Sequence, residues 1–68
     1  MSYLSNKLYS LRKEQNITLQ AVYLKTGISI ASLSAYERGQ YAPSIENLCK
    51  LADFYNVTVD YLLGTNKK

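Results

Sequence analysis

Residues 18–39 read TLQAVYLKTGISIASLSAYERG, and this stretch decides the fold. Thr18 is a good N-cap, because its hydroxyl accepts from a free backbone N–H in the first turn of a helix opening at Leu19. Gly27 takes the left-handed conformation that closes a helix, and Ser29, two residues on, caps another. The second helix is predicted over Ile30 to Arg38, where Gly39 again offers a stop. Two helices joined by a turn of about three residues pack at a steep angle, so the residues facing the seam should be apolar. Val22, Ile28, Leu33 and Tyr36 meet that demand. By helical geometry Ile30, Ala31, Ser34 and Ala35 then point away from the core, with Ser32 beside them.

Working outward, Leu4, Leu8 and Leu11 fall at i, i+4 and i+7, with Lys7, Lys13 and Glu14 turned elsewhere, which predicts a first helix from about Leu4 to Gln15. Downstream, Gln40 to Pro43 make a loop and Ser44 restarts the helix. Ile45, Leu48, Leu51, Ala52 and Tyr55 keep helical spacing for a fourth element, and Thr58 caps a short fifth containing Tyr61, Leu62 and Leu63. No stretch alternates with period two over a useful length. The expectation is an all-α bundle of five short helices, a single domain over residues 1–68 with its folded core at about 4–64 and a disordered tail at Lys67 and Lys68.

Composition narrows the function. A chain of 68 residues buries only about 60% of the surface it exposes when unfolded, too little for a substrate-enclosing cleft. Cys49 is the one cysteine and there is no histidine, so an intrachain disulfide and a Cys/His zinc site are both excluded. Cys49 is expected at the core or its edge on the fourth helix, as a small buried hydrophobe. Asp53 and Asp60 have no acidic or basic companion in the pattern, no glycine-rich phosphate loop is present, and Cys49 has no base beside it. The chain therefore reads as a non-enzyme without cofactor, metal or small-molecule ligand. The longest apolar run is Ala21 to Leu24, too short for a membrane span or a signal-peptide core, which points to a cytoplasmic protein without a membrane partner. Eight Lys and Arg against five Asp and Glu give a net charge of +3, a balance that permits nucleic acid without demanding it.

A helix, a glycine turn and a second helix form the unit that presents one helix to the major groove of DNA. Lys25-Thr26-Gly27-Ile28-Ser29 and Tyr36-Glu37-Arg38-Gly39 resemble the phage-repressor and Cro-like helix-turn-helix family, often called the XRE family, whose members have a lambda-repressor-like DNA-binding fold. Ala42-Pro43-Ser44 and Val57-Thr58-Val59-Asp60-Tyr61-Leu62-Leu63-Gly64 agree with it in order and spacing. The resemblance covers about residues 4 to 64. It implies sequence-specific binding of double-stranded operator DNA by a transcriptional regulator of repressor type, with residues 30–38 as the recognition helix.

By the same resemblance, Ile30, Ala31, Ser32, Ser34 and Ala35 would contact bases. Thr18, Ser29 and the corner of Arg38, Gln40 and Tyr41 would contact phosphates. Arg12 would pair with Glu37, either as a purely structural tie or with guanidinium donors left over for a phosphate. Two positions depart from the family pattern. Leu19 stands where a phosphate-reaching Gln is common, so that contact is lost or passes to Gln20. Tyr23 stands where Ala is usual, so its ring must either splay the two helices or lie along the surface. The predicted reading face is largely apolar and suits the thymine methyl, which implies a T-containing half-site read partly through DNA shape.

A monomer of this size makes few phosphate contacts, so a homodimer is expected. Its surface would lie on the last helix at Val59 and Leu63, unless both are buried within one chain. Two alternatives share the architecture: the DNA-binding antitoxin of a toxin–antitoxin pair, and a protein-interaction module that does not touch DNA.

Overall fold

In the computed structural model, which describes residues 2–65, side-chain caps set every helix start. Ser2, Thr18, Ser29, Ser44 and Thr58 each accept from the backbone N–H three residues on, satisfying donors that the first turn leaves without intrahelical partners. The helices are α1 (Tyr3–Glu14), α2 (Leu19–Thr26), α3 (Ile30–Arg38), α4 (Ile45–Tyr55) and α5 (Val59–Leu63). Among the described residues there is no strand, and no helix is long and apolar enough to cross a membrane. The expected tail at Lys67 and Lys68 lies outside the described residues. α1 begins and ends one residue earlier than its leucine spacing suggested, because Ser2 is the cap and Gln15 closes the helix.

The chain reverses between elements through left-handed residues. Gly27 at φ 77° joins α2 to the turn before α3, and asparagines make the same move after α1 and α4, Asn16 at φ 59° and Asn56 at φ 58°. Asn tolerates this region because its short side chain finds local hydrogen bonds. Gly64 answers to a second demand: a Cβ there would stand 2.9 Å from Cε2 of Tyr3, so the end of α5 lies directly against the start of α1.

One core unites the helices. Leu8 and Leu11 of α1, Val22 of α2, Ile28 of the turn, Leu33 and Tyr36 of α3, Leu48, Leu51, Ala52 and Tyr55 of α4 and Leu62 of α5 form a continuous buried cluster. α1 packs on α3 and α5, α2 on α3 and α4, and α4 on α5. The expected seam residues Val22, Ile28, Leu33 and Tyr36 are all buried. Tyr61 is half-buried at the edge, where Lys7 Nζ stands 4.7 Å over its ring and donates to its hydroxyl at 3.3 Å.

Two positions of α4 differ from expectation. Cys49 is exposed, because the core direction of α4 is set by Leu48, Leu51, Ala52 and Tyr55, and the residue after Leu48 is turned about 100° away from it. Ile45 is 80% exposed, so the buried stripe of α4 begins at Leu48. On α1 the polar Ser5 is buried. It lies one turn before Leu8 on the core face, and its hydroxyl is satisfied by donating to Ser2 O at 2.9 Å.

A charged contact ties α1 to α3. Arg12 Nε donates to Glu37 Oε2 at 2.7 Å and Nη2 to Oε1 at 2.9 Å, while Nη1 donates to Ile17 O at 2.9 Å. The guanidinium therefore holds the carboxylate with both teeth of its fork and the α1–α2 connection with a third N–H. The Glu37 hydrogen bond raises the Arg12 pKa further, so the guanidinium keeps its charge. Beside it, burial pushes the Tyr55 phenol up to about 12, the Glu37 carboxylate adding to the rise and Arg12 opposing it.

Removing one partner of this pair strands the other. Arg12→Ala is expected to lower stability by about 2–4 kcal/mol, since it leaves a largely buried carboxylate unpaired. Adding Glu37→Ala should restore part of that loss; urea denaturation of the three variants measures both effects, and strict additivity would show that the pair is not coupled. Tyr55 gives a pH dependence. Its folded pKa lies above the ordinary phenol value of 10, so its contribution is complete below pH 10 and is lost as pH rises toward about 12. Within that window stability should fall by up to about 1.4 kcal/mol per pH unit more in the wild type than in Tyr55→Phe, read as urea midpoints on either side of pH 10.

Candidate nucleic-acid interface

The ends of α2 and α3 and the second half of α1 meet on one side of the molecule. Tyr9, Arg12, Leu19, Ser34, Glu37 and Arg38 line a shallow concavity there. α2 presents its N-terminus to this side. Its first backbone acceptor bond is made by Val22 N–H to Thr18 O, and Thr18 Oγ1 takes the N–H of Ala21. The N–H groups of Leu19 and Gln20 precede that bond, where the helix dipole is positive and anions are favoured.

Of the predicted phosphate-contacting residues, Thr18, Gln20, Ser29, Arg38, Gln40 and Tyr41 are all exposed. Thr18 and Ser29 act first as caps, accepting from Ala21 and Ser32 N–H. Acceptance leaves the hydroxyl hydrogen of each able to donate outward. Arg12 is only 14% exposed at its side chain. Three of its five N–H groups are taken by Glu37 and Ile17, so its structural tie is its first role.

α3 carries an open stripe of Ile30, Ala31 and Arg38, which are exposed, and Ser34, which is half-buried, with half-buried Ser32 on the flank. Ala35 does not join it. It is 3% exposed, a correction to the expectation that its methyl faces outward. The physical reason is packing: α3 lies against both α1 and α2, and at its C-terminal half Ala35, Tyr36 and Glu37 are buried in succession. The open face of α3 is narrower than the helical wheel alone suggests.

The two unusual residues of α2 take opposite sides. Leu19 turns inward, partly buried against the core, while Tyr23 is 42% exposed and lies along the surface. Val22, 1% exposed, fills the seam in its place, so the helices are not splayed by the ring. On α5 the expected pair also divides. Leu63 is 40% exposed, whereas Val59 is half-buried and packed against the core.

Two contributors were not anticipated. Tyr9 lies three residues before Arg12, so the i, i+3 relation along α1 was the available signal. Its ring stands beside both the Arg12 guanidinium (5.7 Å) and the Lys13 ammonium (5.8 Å). Asn47 donates to the Tyr36 hydroxyl at 3.0 Å, and the Tyr36 and Tyr41 rings meet in a T-shaped contact with centroids 5.8 Å apart. This chain of contacts holds the exposed Tyr41 beside the C-terminus of α3. No local pattern announces a pairing across the α3–α4 loop.

Electrostatically, Arg12 occupies both oxygens of Glu37, so the acid next to Arg38 does not neutralise it. Among the described residues the other ion pair, Lys50 with Glu46 at 3.7 Å, is confined to α4. The concavity thus combines the start of α2 at Leu19 with the exposed Arg38 guanidinium, and the exposed Ile30 and Ala31 lie further along α3.

Comparison with known proteins bears on this arrangement. A family model described as helix-turn-helix matches residues 8–62. The chain is 40% identical over 63 residues to the HTH-type transcriptional regulator AnsR of Bacillus subtilis (strain 168), covering 93% of this chain and 54% of that protein. It is 36% identical over 61 residues to the cryptic phage CTXphi transcriptional repressor RstR of Vibrio cholerae serotype O1, covering 90% of this chain and 54% of that protein. It therefore spans about half the length of these relatives. Among solved structures, the P22 c2 repressor protein in complex with synthetic operator 9T is similar with a TM-score of 0.86 and 28% identity, over 93% of this chain and 96% of that one. With the caps, the glycine turn and the packing of α2 on α3 in place, the chain belongs to the phage-repressor and Cro-like (XRE) helix-turn-helix family.

Proposed function

We propose that this chain binds double-stranded operator DNA sequence-specifically, as the DNA-binding part of a transcriptional regulator of repressor type. The observation that carries this reading is the open stripe of α3 set between two helix N-termini and an unneutralised Arg38. The operator complex of the similar P22 c2 repressor supports it. In this reading α3 enters the major groove, where Ile30, Ala31 and Ser32 at its N-terminal end meet base edges. Thr18, Gln20 and Ser29, with the Leu19 and Gln20 amides, hold the phosphates on one flank; Arg38, Gln40 and Tyr41 hold those on the other.

The stripe is poor in the paired donors and acceptors that read guanine or adenine. Ile30 and Ala31 offer apolar contact that fits the thymine methyl, and the remaining discrimination falls to DNA shape. Such a small set of contacts gains from doubling. A two-fold homodimer on half-sites roughly 34 Å apart, with exposed Leu63 of α5 in its contact, suits both the affinity and the symmetry of an operator. The reading gives the chain no chemistry of its own, and it places it in the cytoplasm with its DNA.

Selection from a random duplex library tests it. The expected outcome is a consensus with thymine facing Ile30 and Ala31, bound at least a thousandfold more tightly than random duplex and with log K falling steeply against log salt. A G-rich consensus without thymine preference would overturn the base assignment, and equal binding to every duplex would overturn the function.

A further inference from the structure

One side-chain hydrogen bond runs along the open face of α3 itself. Arg38 Nε donates to Ser34 Oγ at 3.1 Å, one helical turn back. Ser34 is half-buried and Arg38 exposed, and both line the concavity with Arg12 and Leu19. Among the described residues no carboxylate lies within ion-pair distance of Arg38, since its neighbour Glu37 is held by Arg12 through both oxygens.

A serine inside a helix commonly turns its hydroxyl back to a backbone carbonyl. Here its oxygen accepts from a guanidinium. A guanidinium is a planar fork, so fixing Nε fixes the plane in which the two terminal nitrogens lie. An exposed arginine otherwise samples many rotamers and must lose that freedom on binding. The bond to Ser34 removes part of that freedom in advance. It also leaves the four N–H groups on Nη1 and Nη2 available for a bidentate contact, the arrangement that matches two phosphate oxygens.

The position of Arg38 favours phosphate over base. It is the last residue of α3, next to the concavity shared with Arg12 and the start of α2, whereas base edges are met by the N-terminal residues of a recognition helix. We propose that Ser34 is a positioning residue, holding the Arg38 guanidinium by Nε so that its terminal nitrogens grip a backbone phosphate. This replaces the sequence-based expectation that Ser34 contacts a base, and it rests on the DNA-binding reading above.

The experiment measures binding of the whole chain to its selected duplex by fluorescence anisotropy across a salt series, for wild type, Ser34→Ala, Ser34→Thr, Arg38→Ala and the Ser34→Ala/Arg38→Ala double variant. Ser34→Ala should weaken binding about three- to tenfold, the net range of one ordinary intramolecular hydrogen bond, and Ser34→Thr, which keeps the hydroxyl, should bind like wild type. Arg38→Ala should weaken binding more and reduce the salt slope by about one. In the Arg38→Ala background Ser34→Ala should add nothing, and the consensus selected by Ser34→Ala should equal that of wild type. The thermal midpoint of Ser34→Ala, followed by circular dichroism, should not fall, which separates positioning from a loss of fold.

An undiminished effect of Ser34→Ala without Arg38, or an altered consensus, shows direct base reading and overturns the proposal. So does a Ser34→Ala variant that binds like wild type. Both results leave the DNA-binding reading standing, whereas a wild type with no preference for any duplex defeats that reading and this proposal together.

Discussion

A guanidinium from α1 grips the carboxylate of Glu37 on α3 with two hydrogen bonds and the carbonyl of Ile17 with a third. Much of the molecule depends on that contact. It joins α1 to α3 and clamps the connection that leads into α2, so three segments of the helix-turn-helix framework share one anchor. The anchor is largely buried, and a bidentate geometry with low exposure is the case in which an ion pair specifies an arrangement rather than decorating a surface. It also sets the charge of the open face. With Glu37 consumed from within, the next residue along the chain presents its positive charge without a competing neighbour.

The remaining orientation of α3 comes from packing. Val22, Ile28, Leu33 and Tyr36 fill the seam, and the left-handed Gly27 lets two short helices meet at once. Interiors pack densely, so a ring at position 23 could have forced the helices apart. It does not, because Val22 supplies the seam contact and the Tyr23 ring lies on the surface. Leu19 at the start of α2 turns inward instead and adds to the core.

An apolar reading stripe bounded by polar and charged ends suits a binding mode in which affinity and base discrimination come from different atoms. Phosphate contacts position a protein on the duplex, and groove contacts specify the sequence. The caps Thr18 and Ser29 serve both structure and surface, since each accepts an N–H to start its helix and keeps a hydroxyl hydrogen for a partner. Tyr41 is held beside the C-terminus of α3 by the Asn47, Tyr36 and Tyr41 contacts, a support that spans a loop and two helices.

The sequence alone determined the five helices and the turn, because caps, glycine stops and apolar spacing are local signals whose physics acts within a few residues. The starts at Thr18, Ser29, Ser44 and Thr58 and the buried seam were legible in this way, and the Arg12–Glu37 pair was legible through family resemblance. Only the tertiary structure decided which side chains remain open. Ala35 and Ser5 are buried, while Cys49 and Ile45 are exposed, because burial depends on which neighbouring segment covers a helix face and not on the periodicity of that face. Asn47 joined the site for the same reason: its partner Tyr36 lies on another helix, and a contact across 11 positions of chain is created when the helices pack, whereas Tyr9 meets Arg12 and Lys13 within α1.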